Sequence, residues 1–269
     1  MTLSITGKTA IVTGAANGIG LAIARHFHDK GANVMFVDID EARLEAQIGA
    51  EARAEGSVRM FAGDLRQKLT AINLLSATID AFDRVDVLVN ASRQCRVSEG
   101  MCAEEDAVEE LLQQNMFTAL RLSQMTAKRM IQRAEAQGDL GPGIGSIINL
   151  SSVAGTRTRP GMLGYSISCA AIDQMTRSLA VEYAPKGIRV NAVAFGSLMS
   201  ASLQGAIKEN PDYLTAIEAG TPLHRVAAAS ELVETVQFLA SDAASFITGQ
   251  ILTVDGGRSL LDAVNVPAH

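Results

Sequence analysis

The 269-residue chain has little of what metal-bound, cross-linked, nucleic-acid-binding or membrane proteins need. It holds three cysteines, Cys95, Cys102 and Cys169, and four scattered histidines. The cysteine count is odd, and neither Cys-x-x-Cys nor a Cys/His ligand spacing occurs. Free thiols, a reducing compartment and no structural metal are therefore expected. No basic stripe or tail is present, and Lys+Arg 23 against Asp+Glu 29 leaves a net charge of −6 without a block of like charge. That speaks against nucleic acid or an anionic membrane surface as the main partner. No apolar run approaches the ~20 residues of a membrane span. The opening MTLSITGKTAIVTG lacks the basic region, apolar stretch and cleavage site of a secretory signal. A cytoplasmic protein that binds a small molecule is the expectation.

What is present is alternation. Short β-branched apolar runs at 9–13, 33–37, 58–62, 86–90, 146–150, 188–194 and 251–254 read as strands. Longer amphipathic stretches at 19–30, 41–55, 104–136, 165–183 and 231–240 read as helices. Strands separated by helix-sized segments imply βαβ units and a parallel sheet covered on both faces. Runs such as Val87-Leu88-Val89 are apolar on both sides, as such a sheet requires. The fold class is α/β, with one doubly wound Rossmann domain and a mostly parallel sheet spanning residues 1–269. The segment 138–145 reads as a flexible surface loop. Residues 196–229 form the longest stretch without a strand and read as a lid or substrate wall.

The first strand runs into Thr13-Gly14-Ala15-Ala16-Asn17-Gly18-Ile19-Gly20, and a helix starts at once. Glycines permit the tight turn and bring backbone close to a pyrophosphate, and the helix N-terminus supplies free N–H groups. Gly14, Asn17, Gly18, Ile19 and Gly20 are the expected phosphate-side contacts; the bland alternative is a tight structural turn. Asp38 ends the second strand about 18 residues beyond Gly20, where an acid grips a ribose 2′-hydroxyl. A carboxylate there repels a 2′-phosphate, and positions 15–17 and 39–42 offer no Arg or Lys in compensation. NAD is expected rather than NADP, with a helix N-cap as the alternative use of Asp38.

These motifs resemble those of the short-chain dehydrogenase/reductase family over nearly the full length. The resemblance rests on TGAANGIG at 13–20, Asp64-Leu65, Asn115, Ser151-Ser152-Val153-Ala154-Gly155, Tyr165 and TGQILTVDGG at 248–257. It implies a homo-oligomer, a tetramer or dimer, that exchanges a hydride between a nicotinamide and an alcohol or ketone. By the same resemblance Ser152 holds the substrate oxygen, Tyr165 exchanges the proton and Asn115 anchors a water of the relay. Asp64 and Leu65 then contact the adenine, and Asn90 belongs to the cofactor site.

Three positions depart from the family pattern. The lysine four residues after the tyrosine is Cys169. The glycine of the family's Asn-Asn-Ala-Gly is Arg93, in Asn90-Ala91-Ser92-Arg93. The proline of its Pro-Gly is Phe195, and the threonine that follows is Ser200. Without an adjacent cation, Tyr165 is a poor base at neutral pH. Either Arg93 or Arg96 enters the cleft and supplies the charge, or the site has decayed; Arg93 can equally be a solvated loop side chain. A reactive Cys169 thiolate is a third idea. Leu198, Met199, Leu203, Ile207 and Tyr213 line an apolar pocket or pack a lid. Arg157 and Arg159 meet an acidic substrate or solvent, and His224 and Arg225 carry no motif. Two functions follow: an NAD-dependent oxidoreductase of reduced activity on a secondary alcohol or ketone, or a non-catalytic NAD-binding or scaffold subunit.

Overall fold

The computed structural model describes residues 2–262 except 55, 99, 103, 139, 140, 142 and 200, and only the backbone at 201 and 202. Seven strands form its sheet: β1 (Thr9–Thr13), β2 (Asn33–Asp38), β3 (Val58–Ala62), β4 (Val87–Asn90), β5 (Gly145–Ser152), β6 (Ile188–Phe195) and β7 (Ile251–Val254). They lie in the order β3-β2-β1-β4-β5-β6-β7, and every neighbouring pair is parallel. The helices are α1 (Gly18–Asp29), α2 (Glu41–Arg53), α3 (Lys68–Phe82), α4 (Val108–Leu111), α5 (Thr118–Gln137), α6 (Leu163–Tyr183), α7 (Ala201–Glu209), α8 (Asp212–Ala219) and α9 (Ala229–Ala240).

Side chains alternate across a strand, and here both faces are buried. Val12, Phe36, Val89 and Ile148 point to one layer, where Phe27 of α1, Leu44 of α2 and Val236 of α9 close over them. Their neighbours Ile11, Met35, Leu88 and Ile147 point to the other, against Leu74 of α3, Leu122 and Met130 of α5 and Leu179 of α6. The chain is thus a single Rossmann-like α/β domain. Among the described residues no helix is long and apolar enough to cross a membrane, and no group of metal-ligating side chains occurs.

The expected strands are all present, with β5 and β6 longer at their C-terminal ends than their apolar runs suggest. That extension carries Ser152 and Phe195, which pair in register. The helix α3 went unread, although its buried Ala71, Leu74, Leu75 and Thr78 follow helical spacing. The helix expected over 104–136 needs correction. Ala107 adopts a left-handed φ of 55°, and the Asp106 carboxylate accepts the Val108 N–H at 2.8 Å, so helix starts only at Val108. Leu112–Phe117 is then a π-helical turn joining α4 to α5. The long segment after β6 contains α7 and α8, and Leu198 bridges Ala227 beside it.

One carboxylate fastens the lower edge of the sheet. Asp86 accepts the Thr9 N–H at 2.8 Å and takes two nitrogens of Arg84 at 2.6–3.0 Å, with Arg133 of α5 at 3.6 Å. Asp86→Ala leaves the buried Thr9 N–H without its acceptor. It should lower stability by about 2 kcal/mol, read as a lower urea midpoint at unchanged slope.

Candidate active site

The strand order reverses between β1 and β4, and the loops leaving their C-terminal ends part there to open a crevice. Thr13 at the end of β1 holds the two lips together: its hydroxyl accepts the N–H of Ala91 at 3.0 Å and of Ser92 at 2.9 Å. Gly14 has φ 67°, and a Cβ on it would lie 2.9 Å from the Ser92 Cα. At Gly20 a Cβ would lie 2.1 Å from the Gly14 carbonyl oxygen, so only glycine lets α1 start this close to β1. Asn17 stands at the N-cap of α1, where no side chain takes up the free N–H groups. A helix N-terminus without a side-chain cap is the arrangement an anion site requires.

Asp38 lies at the end of β2. Its carboxylate accepts the N–H of Ala16 at 3.0 Å and of Asp40 at 3.1 Å. The cap of α2 is Asp40, which accepts the Arg43 N–H at 3.0 Å, so Asp38 is not the helix cap considered above. Gly14, Asp38, Gly63, Asp64, Leu65, Ser92, Gln114 and Thr118 line one open cleft. Arg66 lines it too, and no motif had singled it out. Its guanidinium grips the Asp64 carboxylate at 2.8–3.1 Å and holds that acid below the usual carboxylate range.

Asn90 ends β4. Its amide donates to Ser123 at 3.0 Å and to Asn149 at 2.8 Å, and Asn149 donates on to Thr176 at 2.9 Å. The side chain bolts β4 to β5, α5 and α6 beneath the crevice rather than reaching into it.

Across the crevice, Ser152 ends β5 and Tyr165 opens the first full turn of α6. The Ser152 hydroxyl accepts the Ala154 N–H at 3.2 Å. Tyr165 is buried with Leu111, Met162 and Cys169 in a small apolar cluster. Residues four apart share a helix face, and the face here is Tyr165, Cys169 and Asp173. Burial pushes the Tyr165 phenol up to about 12, with the Arg93 charge and a hydrogen bond with Ser152 pulling the other way. Burial likewise raises the Cys169 thiol to about 11, which favours the neutral thiol at neutral pH. Asp173, which sequence reading overlooked, is raised by burial as well and adds to the unfavourable field at Cys169. The π-helical turn aims Asn115 inward. It donates to the Gln94 carbonyl at 2.9 Å and to Ser168 at 3.1 Å, and accepts the Gln94 N–H at 2.8 Å.

Two of the departures meet. Arg93 is no solvated loop side chain: its guanidinium carbon lies 4.0 Å from the centre of the Phe195 ring and 5.8 Å from that of Tyr165. Its Nη1 donates to the Ser151 carbonyl at 3.1 Å. Arg96 points away and pairs with Glu110 at 2.7 Å. Of the candidate pocket residues, Leu198 is buried in the main core, and Tyr213 is half exposed. Arg157 donates to the Ser259 carbonyl at 2.9 Å, tying down the C-terminal segment, and Arg225 pairs with Glu231 at 2.6 Å. His224 has a left-handed φ of 50°. Ser200 lies outside the described residues.

A family profile described as Enoyl-(Acyl carrier protein) reductase matches residues 14–259. The chain belongs to the short-chain dehydrogenase/reductase family. It is 33% identical over 270 residues to the oxidoreductase UcpA of Salmonella typhimurium, covering 97% of this chain and 98% of that one. It is 32% identical over 258 residues to galactitol 2-dehydrogenase (L-tagatose-forming) of Cereibacter sphaeroides, covering 95% and 96%. Among solved structures it resembles 7α-hydroxysteroid dehydrogenase complexed with NADH and 7-oxo glycochenodeoxycholic acid. The TM-score is 0.85 at 29% identity, over 95% of each chain.

The closest approach in the crevice gives a direct check. Gly20→Ala should cost about 2 kcal/mol by overpacking and displace the glycine turn. The outcome is a lower melting temperature together with loss of nucleotide binding.

Proposed function

We propose that the chain is an NAD-dependent oxidoreductase that interconverts a secondary alcohol and a ketone at low turnover. The observation that carries this reading is the pair of hydroxyls, Ser152 and Tyr165, flanking the crevice at the end of β5. A relative that carries galactitol 2-dehydrogenase in its name and a neighbour crystallised with NADH support it. So do the uncapped N-terminus of α1 and the Asp38 carboxylate, which suit a pyrophosphate and an unphosphorylated ribose. Gly14, Asn17, Gly18, Ile19 and Gly20 would cradle the phosphates, and Asp64 and Leu65 would border the adenine. When bound, the nicotinamide supplies or accepts the hydride.

The chain's own residues handle the oxygen and its proton. Ser152 donates a hydrogen bond to the substrate oxygen, and Tyr165 donates its proton to that oxygen as the ketone is reduced. Alcohol oxidation requires the phenolate of Tyr165 instead. With the phenol near 12, the phenolate needed for oxidation is scarce at neutral pH and the phenol is a weak proton donor for reduction, which fits low turnover in either direction. Asn115 holds the loop at Gln94 and the Ser168 hydroxyl in place behind Tyr165. Residues 196–229, with α7 and α8, act as the lid over the substrate.

Low turnover follows from Cys169. A neutral thiol stands one turn from Tyr165, where the family's lysine would place an ammonium. The same neutral pair favours a second reading, a nucleotide-binding subunit without chemistry of its own. We also infer a homo-oligomer, because Phe117, Ile167 and Val181 leave apolar surface exposed at the start of α5 and along α6. Light scattering should return a dimer or tetramer.

A screen of alcohols and ketones with NADH and NAD tests the reading. Turnover should vanish in Tyr165→Phe and rise at least about tenfold in Cys169→Lys. Turnover indifferent to Tyr165→Phe would transfer the chemistry elsewhere, and none at all would leave the subunit reading. The oxidation rate should climb about tenfold per pH unit between pH 7 and 10 without levelling, as more phenolate forms below its pKa. Ketone reduction should stay nearly flat over that range. A plateau in oxidation near pH 7 would overturn the assignment of Tyr165.

A further inference from the structure

In a doubly wound sheet the two halves on either side of the switch point each accommodate one nucleotide of a dinucleotide. Here the halves differ. Over β1–β3 a cleft is lined by Gly14, Asp38, Gly63, Asp64 and Ser92, and among the described residues no side chain is stacked across the strand ends there. Over β4–β6 a side chain lies across the ends of the strands. Arg93 leaves the loop after β4, passes the end of β5, where it donates to the Ser151 carbonyl, and lies on the ring of Phe195 at the end of β6. Adjacent strands are about 4.8 Å apart, so the guanidinium spans from the end of β5 to the end of β6.

We propose that Arg93 is a plug dividing the crevice, so that the resting protein binds the adenosine 5′-diphosphate half of a nucleotide as tightly as a whole dinucleotide. The proposal rests on the reading of the glycine turn as a nucleotide site. The plug is a built contact: a planar cation on an aromatic face, with a carbonyl acceptor at its edge. Arg93 and Phe195 are both departures from the family pattern, and they touch each other. The backbone beneath is fixed, because Thr13 holds the Ser92 N–H and Asn115 clamps the N–H and carbonyl of Gln94. Opening therefore falls to the Arg93 side chain alone. A dinucleotide binds fully only to the fraction of molecules with that side chain out, and its apparent affinity drops by that fraction. An adenosine 5′-diphosphate meets no such requirement.

Calorimetric titration of the wild-type chain with ADP and with NADH tests this. The expected result is dissociation constants within about threefold of each other. In Arg93→Ala, NADH should tighten about tenfold while ADP stays unchanged. Phe195→Ala, which removes the stack but keeps the arginine, should shift NADH in the same direction and serves if the first variant does not fold. A wild-type preference for NADH above about threefold that neither variant changes overturns the plug and leaves the nucleotide site standing. Binding of neither ligand to the wild type overturns the nucleotide reading itself, and the plug with it.

Discussion

The site depends on the hydroxyl of Thr13. Where the strand order reverses, the loops leaving β1 and β4 diverge, and the buried backbone donors of the second loop need an acceptor. Thr13 accepts two of them, from Ala91 and Ser92. That contact sets the spacing between the glycine turn and the loop after β4, and leaves Gly14 too close to Ser92 for any side chain. It also fixes the point from which Arg93 sets out. The glycine turn and the loop that carries Arg93 are positioned by one hydrogen-bond acceptor.

The chemistry of the far half is governed by desolvation. Tyr165, Cys169 and Asp173 lie on one face of α6, and burial raises all three. The face thus gathers groups whose charged forms burial disfavours. A buried acid beside a buried thiol disfavours ionisation of either, and the Arg93 charge lowers Tyr165 and Cys169 without overcoming burial. The π-helical turn opposite matters for the same reason. By aiming Asn115 at Gln94 and Ser168 it satisfies polar groups in a place that admits little water.

Much of this was legible in the sequence. Short continuous apolar runs marked the strands, because a doubly covered sheet has no polar face to interrupt them. The places in the fold of the glycine turn, Asp38, Ser152 and Tyr165 were legible because their spacing along the chain is set by strand and helix length. What could not be read was which way side chains turn. Asn90 and Asn115 carry the same amide, yet Asn90 is consumed beneath the sheet by Ser123 and Asn149, partners 33 and 59 residues away. The start of α4 was misplaced because a left-handed alanine, Ala107, carries no compositional mark. Arg93 could be flagged as unusual, but only the distance to Phe195 separates a stacked arginine from a solvated one.

That distance also decides between the ways Arg93 could act. As a replacement for the missing ammonium it would have to remain beside Tyr165 while ligand is bound. As a side chain lying across the ends of β5 and β6 it has to leave before a second nucleotide half can enter. It cannot do both, because its charge lowers the phenol only at short range and its bulk covers the same ground. Opening the crevice therefore withdraws the cation from Tyr165 at the moment a ligand arrives. An ammonium at position 169 would suffer no such conflict, since it would issue from α6 behind the tyrosine and need not move. On the proposed reading, the departures at 93 and 195 bear on access, and the departure at 169 bears on proton transfer. They meet at Tyr165, the residue on which both act.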